Sequence, residues 1–283
     1  MNKKLLALYG LKCNPFSPER PIEALFITPT VKNFIWRLEQ NQVREGGFAL
    51  ITGDLGTGKS VVLRLLAEGL EQLREVTVGV LTHPQSNLAD FYREMGEVFG
   101  VGLKPNNRWG GFKVLRERWQ AHLENTLLLR AILLIDEAQE MSPAVLCELR
   151  LLASTRFDSR PLLSVVLAGD ARLTEKLRRE ELLPLGSRIR IRLVMEYANR
   201  EELLACLEHL LATAGNPKLM TSELMHTLCD HALGNYRVMS TLAAELLSAA
   251  AQREATYLDE KLYLEVFAPP ASTPRKSRLG QPR

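Results

Sequence analysis

The strongest constraint on how this 283-residue chain folds is an apolar run that breaks into glycines and at once turns helical. FALIT (48–52) leads into Gly53-Asp54-Leu55-Gly56-Thr57-Gly58-Lys59-Ser60, and SVVLRLLAEGL (60–70) follows. The first run has the composition of a strand, and the last repeats its apolar residues at helical spacing. Between them stands the pattern G-x-x-x-x-G-K-[ST]. Its glycines let backbone N–H groups turn inward around phosphate oxygens, and the helix after them offers its N-terminus to the same charge. The stretch holds a phosphate, and it places the holding loop between a strand and a helix.

The rest of the chain extends that alternation. Val31, Phe34, Ile35 and Leu38 recur at helical spacing, VTVGVLT (76–82) is β-branched, and NLADFYREMGEVF (87–99) is helical with Asn87 as its cap. Residues 112–125 continue helical, ILLID (132–136) reads as a buried strand and PAVLCELRLLAS (143–154) as a helix. LLSVVLAGD (162–170) and RIRIRLV (188–194) add two strands. Strands alternating with helices predict an α/β fold, a parallel sheet flanked by helices. From Asn199 and Glu202, a capping box, to residue 267 the pattern is helical throughout, with Gly234 where one helix ends. The expected organisation is an N-terminal segment (1–30) packed on the core, a nucleotide-binding α/β subdomain (31–197), a small all-helical lid subdomain (198–267) and a flexible basic tail (268–283).

Composition closes off other classes. The chain is 46% hydrophobic and 24% charged with a net charge of +3, ordinary for a globular protein and only weakly basic, so an anionic partner is permitted without being demanded. Cys13, Cys147, Cys206 and Cys229 form no C-x-x-C pair and read as reduced thiols. No apolar run approaches the roughly 20 residues of a membrane span. MNKKLLALYGLKC has too short an apolar run for a secretion signal. The expectation is a cytoplasmic protein with no membrane partner.

Phosphate chemistry needs more than a cradle. Residues Gly53 to Val61 would contact the nucleotide, Lys59 would reach its β- and γ-phosphates, and the Ser60 hydroxyl would hold Mg²⁺. AILLIDEAQ brings Asp136 and Glu137 to the C-terminal edge of the sheet, where open α/β sheets bind ligands. There Asp136 can help hold Mg²⁺ through its water shell, and Glu137 can orient or deprotonate an attacking water. Asp170, at the end of VVLAGD, is either a γ-phosphate sensor or the N-cap of ARLTEKLRRE, or both. Arg188, Arg190 and Arg192 are either an exposed basic face or, Arg188 first, a finger reaching into a neighbouring subunit. Arg237 in GNYRVM opens a helix, at the wrong end of the helix dipole for a cation with no partner, and is a candidate second sensor.

Together these residues resemble an AAA+ ATPase, with Walker A at 53–60, Walker B at 132–137, then sensor 1 (Asp170), arginine finger (Arg188, in trans) and sensor 2 (Arg237) in the expected order. YGLKCNPFS, LLIDEAQEMSPAVLCELRLLAS, and VVLAGDARL followed by LGSRIR are similar to the ExeA-like branch. That branch holds secretion ATPases of the ExeA type and transposition regulators of the TniB, TnsC and MuB kind. Asp170 departs from it, since such sequences usually carry Gln there. The resemblance implies ATP and Mg²⁺ as ligands and a homo-oligomer, a ring or helical filament, with nucleotide between subunits. It also implies Tyr9, Pro15 and Phe16 near the adenine, unless these are core anchors.

Two functions follow from the resemblance. The first is a regulator of DNA transposition that assembles on duplex DNA with ATP, recruits or activates a transposase, and disassembles on hydrolysis. The alternative is a secretion-associated ATPase; ExeA-type proteins carry a transmembrane segment and a peptidoglycan-binding region that residues up to 283 do not contain, so the first is expected. DNA contact would fall to Lys104, Arg108, Lys113, Arg116 and Arg118 near Trp109 and Trp119, or to Lys176, Arg178 and Arg179. The other reading of each group is a solvated helix face. The basic tail with Arg275, Lys276, Arg278 and Arg283 is either a partner contact or a solvated terminus.

Overall fold

The computed structural model describes residues 3–73, 75–103, 107–126, 129–157 and 159–267. Lys104 and the basic tail lie outside these residues. Among the described residues seven strands are formed: β1 (Gly47–Gly53), β2 (Val78–Leu81), β3 (Ala131–Ile135), β4 (Ser154–Thr155), β5 (Arg160–Pro161), β6 (Leu163–Gly169) and β7 (Ile189–Met195). Five make one parallel sheet in the order β2-β3-β6-β1-β7, while β4 and β5 form a small antiparallel hairpin. Every residue of β3 and β6 is buried, which is why both read as apolar runs, broken in β6 only by Ser164. β7 lies at an edge and alternates instead, with Ile189, Ile191 and Leu193 turned in and Arg190, Arg192 and Val194 turned out.

Register decides what this sheet can do. Ile135 pairs with Leu167, Thr52 with Gly169, and Gly53 with Met195. The loops that leave β1, β3 and β6 therefore emerge at one edge. Large side chains fix the layers beneath. Trp119, from the helix Arg108–Asn125, is 1% exposed and meets Phe99 edge-on at 5.2 Å between ring centres. Burial of such a side chain contributes about 1.5–3 kcal/mol or more relative to exposure. That helix starts four residues before the expected 112, because Asn107 caps it by accepting the Gly110 N–H at 2.8 Å.

One buried acid ties three helices of this layer together. Glu148, on the helix Pro143–Leu152, is 2% exposed. The Tyr92 hydroxyl, from Leu88–Val98, donates to its Oε1 at 2.5 Å, the Arg108 Nε donates to the same oxygen at 3.0 Å, and a second Arg108 nitrogen donates to Oε2. Burial would push the Glu148 carboxyl up, but the bonds from Arg108 and Tyr92 overcome it and hold the group below the usual carboxylate range. Burial first, then the bond to Glu148, pushes the Tyr92 phenol up. Arg108, expected as a DNA contact, is exposed but has its guanidinium paired to this buried acid.

A second compact unit is helical and is built from residues 3–24, 199–233 and 238–267. The capping box of Asn199 and Glu202 opens the helix Arg200–Ala214, and Gly215 at φ +100° closes it. Residues 1–30 were expected on the α/β core. The described ones up to Ala24 belong to the helical unit instead, because the Lys12 N–H donates to the Ala214 carbonyl at 2.8 Å and the Asn216 side chain donates to the Tyr9 carbonyl at 2.9 Å. Tyr9 and Phe16 are buried there as core anchors, with Pro15 buried beside Phe16. No helix among the described residues is long and apolar enough to cross a membrane.

Tyr92→Phe leaves Glu148 short of one partner and should cost about 1–3 kcal/mol, read as a lower denaturant midpoint. Since the Glu148 pKa is lowered on folding, its ionised contribution is present above the unfolded value of about 4.3 and lost as pH falls through the lower folded one. The difference between Tyr92→Phe and wild type should accordingly shrink below about pH 4.

Candidate nucleotide-binding and hydrolysis site

β1 ends in the glycine loop, which turns into the helix Lys59–Glu71 through Gly58. Buried Thr57 braces the turn by donating its hydroxyl to the Asp54 carbonyl at 2.9 Å. Lys59 is 6% exposed, and its ammonium donates to the carbonyls of Gly53 at 2.8 Å and Asp54 at 2.9 Å. An ammonium has three N–H donors, so one remains to reach an anion lying over the loop. Gly56 sits at φ +81°, and a Cβ there would come within 2.1 Å of Asn235 Oδ1. Only glycine gives this loop both its turn and its room.

The neighbouring strand supplies the acids. Ser60 Oγ donates to Asp136 Oδ2 at 2.7 Å, joining the helix start to the end of β3 across 76 residues. A hydroxyl and a carboxylate side by side, next to a phosphate cradle, are the hard oxygen donors that Mg²⁺ takes together with substrate phosphates. The residues present therefore fit the ion: Ser60 would hold it directly and Asp136 through water. Once bound, it would supply neutralisation of the phosphate charge.

Glu137 follows at φ +50°, the left-handed region, which costs a non-glycine residue of order 1–3 kcal/mol. Its N–H is satisfied by Asp136 Oδ1 at 2.9 Å. Its carboxylate accepts a bond from the side-chain amide of Gln139.

The remaining expected residues sort unevenly. Asp170 is the N-cap of the helix Ala171–Leu177, accepting from Arg172 N at 2.9 Å and Arg172 Nε at 2.8 Å. Arg188 donates to the Pro184 carbonyl, Arg190 pairs with Glu45 at 2.9 Å, and Arg192 donates to the Gly186 carbonyl at 3.3 Å. Arg237 is exposed, two residues beyond Asn235, and its N–H donates to Asn235 Oδ1 at 2.9 Å. Among the expected DNA contacts, Lys113 is exposed with Glu117 at 3.8 Å, Arg118 is exposed, and half-buried Arg116 lies 4.9 Å over the Phe112 ring. Trp119 is core, whereas Trp109 is 74% exposed and stacks on Phe112.

Two site residues escaped the sequence reading. Asn235 donates from its side chain to the Leu55 carbonyl at 3.0 Å and so grips the glycine loop from 180 residues away. Gln139 joins Glu137 to the end of β6 through the Asp170 N–H. The only local signal for Asn235 was its place beside Gly234, and for Gln139 a polar residue inside an apolar turn.

Comparison with known proteins agrees with this geometry. Residues 42–177 match the family model of the AAA domain. Their fold is that of a P-loop ATPase. The Aeropyrum pernix ORC2 protein, solved as ADPNP-ADP complexes, is similar in fold with a TM-score of 0.70 and 14% identity, over 90% of this chain and 71% of that one. The Aeropyrum pernix ORC1 protein in complex with DNA gives 0.66 and 18%, over 89% and 67%. The general secretion pathway protein A of Aeromonas hydrophila is 29% identical over 248 residues, which are 87% of this chain and 44% of that protein. The chain thus spans less than half the length of that curated relative. The activity that the domain and its fold support is ATP hydrolysis.

Gly56→Ala forces a Cβ into Asn235 and strains the turn, while Asn235→Ala releases the Leu55 carbonyl. Both should weaken ATP binding about 10-fold or more, as each removes at least ~1.4 kcal/mol of loop organisation. Titration with a fluorescent ATP analogue measures it, and wild-type affinity in both variants would refute the role of this contact.

Proposed function

We propose that this chain is an ATP-dependent, DNA-binding AAA+ regulator of DNA transposition. It forms a homo-oligomer on duplex DNA with ATP, as a ring or helical filament, and recruits or activates a transposase. Hydrolysis then drives disassembly. The observation that carries the ATP half is the gathering of Lys59, Ser60, Asp136 and Glu137 at one sheet edge. Lys59 binds the β- and γ-phosphates, Ser60 and Asp136 hold Mg²⁺, and Glu137 orients or deprotonates the attacking water. Arg237 senses the nucleotide beside the Asn235 grip on the loop, and Arg188 acts from a neighbouring copy. Asp170 acts through its place at the end of β6 rather than through a carboxylate already committed to Arg172.

The DNA half is supported by the likeness to a fold relative solved in complex with DNA and by the exposed cations Lys113 and Arg118. The transposition part is supported by the resemblance of YGLKCNPFS and LGSRIR to the ExeA-like branch, which holds regulators of that kind beside secretion ATPases. A second reading is favoured by a specific observation. The 29% match to general secretion pathway protein A supports a secretion-associated ATPase, with a protein partner in place of DNA.

Mobility shift of a duplex of arbitrary sequence separates the two. The expected result is a shift with ATP or a non-hydrolysable analogue and none with ADP, weakening steeply as salt rises. Absence of any nucleotide-dependent shift at low salt would sink the DNA reading and leave the secretion one. Glu137→Gln should bind ATP normally, lose about 10²-fold or more in turnover, and accumulate as the ATP-bound assembly. Normal turnover in that variant would refute the role of Glu137.

A further inference from the structure

Gln139 occupies the short 3-10 turn Ala138–Glu140 after β3 and is 4% exposed. Its two amide atoms face different partners. Nε2 donates to Glu137 Oε2, and Oε1 accepts the Asp170 N–H at 3.3 Å. Only one orientation of the amide satisfies both. Turned over, it would set an oxygen against a carboxylate and an NH₂ against an N–H, so the two contacts fix the plane. Space for it exists because residue 169 is glycine: a Cβ there would stand 2.6 Å from Gln139 Oε1. The main chain of the turn is clamped as well. Lys176 donates to the carbonyls of Gln139 and, at 2.7 Å, Met141. Arg172 bridges Asp170 at 2.8 Å and Glu140 at 2.9 Å.

We propose that Gln139 is a positioning residue that couples the Glu137 carboxylate to the end of β6, so that the two move as one element. The inference rests on the reading of Glu137 as the group acting on the attacking water. Glu137 lies in a left-handed conformation at a chain reversal, where its side chain has few steric guides. A buried amide donating to one of its oxygens selects one orientation, and the Asp170 N–H holds that amide in turn. A shift of the β6 end is then carried to Glu137 without any contact between their side chains. Displacement of about 1 Å at such a group is enough to change turnover by about 10²-fold.

The test uses the full chain and separates turnover from binding. Gln139→Leu keeps bulk but removes both bonds. Gln139→Glu keeps length and an acceptor for the Asp170 N–H but removes the donor to Glu137. Each variant should lower kcat about 10- to 100-fold, with KM for ATP and the affinity for a fluorescent ATP analogue within about 2-fold of wild type. In the Glu137→Gln background, Gln139→Leu should add no further loss, because the group it positions is already gone. Wild-type kcat in either variant overturns the proposal. So does a loss of nucleotide affinity in both, the mark of a merely structural residue, or a further tenfold loss in the double variant. Normal turnover in Glu137→Gln would remove the reading of Glu137 itself. A silent Gln139 beside an inactive Glu137→Gln would remove only the coupling.

Discussion

The 2.7 Å bond between Ser60 Oγ and Asp136 Oδ2 depends on the register of β1, β6 and β3, which sets Ile135 level with Leu50 across Leu167 although β6 lies between them. Parallel register is the constraint from which the site follows. A slip of β6 by one residue would turn every side chain on it to the opposite face and carry the end of β3 away from the glycine loop. What prevents the slip is burial on both faces, since no residue of β3 or β6 has a solvent side to exchange with. This edge of the sheet is thus held by the apolar middle of the sheet rather than by the polar residues gathered on it.

Those polar residues are costly for the fold. Glu137 is in the left-handed region, Lys59 is nearly buried, and the loop depends on glycines with positive φ. Each such feature opposes folding by a kilocalorie or so. The compensation lies one layer away. Glu148 draws Tyr92 and Arg108 onto the helix Pro143–Leu152, which only Met141 and Ser142 separate from the turn that carries Gln139. A buried acid satisfied on both oxygens rigidifies the segment leaving β3, and the strained Glu137 is at the start of that segment.

Much of this was legible in the sequence where the determinant was local. The glycine loop, the acids ending β3, the apolar strands and the caps at Asn87 and Asn199 depend on residues within a few positions, and the structure has them. Contacts between distant residues were not legible. Nothing in GNYRVM says that Asn235 will find the Leu55 carbonyl, and nothing near Arg108 says that Glu148 will claim it rather than a phosphate. The β4–β5 hairpin escaped because two-residue strands have no period to read. The N-terminal segment escaped because its partners are far downstream, Asn216 lying 207 residues beyond Tyr9.

The arginines of β7 show how a pattern can be right and its purpose still open. Arg190 and Arg192 share the outward face of an edge strand, as alternation requires, and they are held by Glu45 and by the Gly186 carbonyl. An edge strand with exposed backbone invites another strand, and long charged side chains laid along it discourage that pairing. For such a task the charge matters more than any one position. A residue that completes a neighbour's site has the opposite requirement, since one position must be right. Arg188 stands just before the strand, and its guanidinium donates to the Pro184 carbonyl. Its place is therefore set by the short helix Leu183–Gly186 rather than by the pairing of the strand.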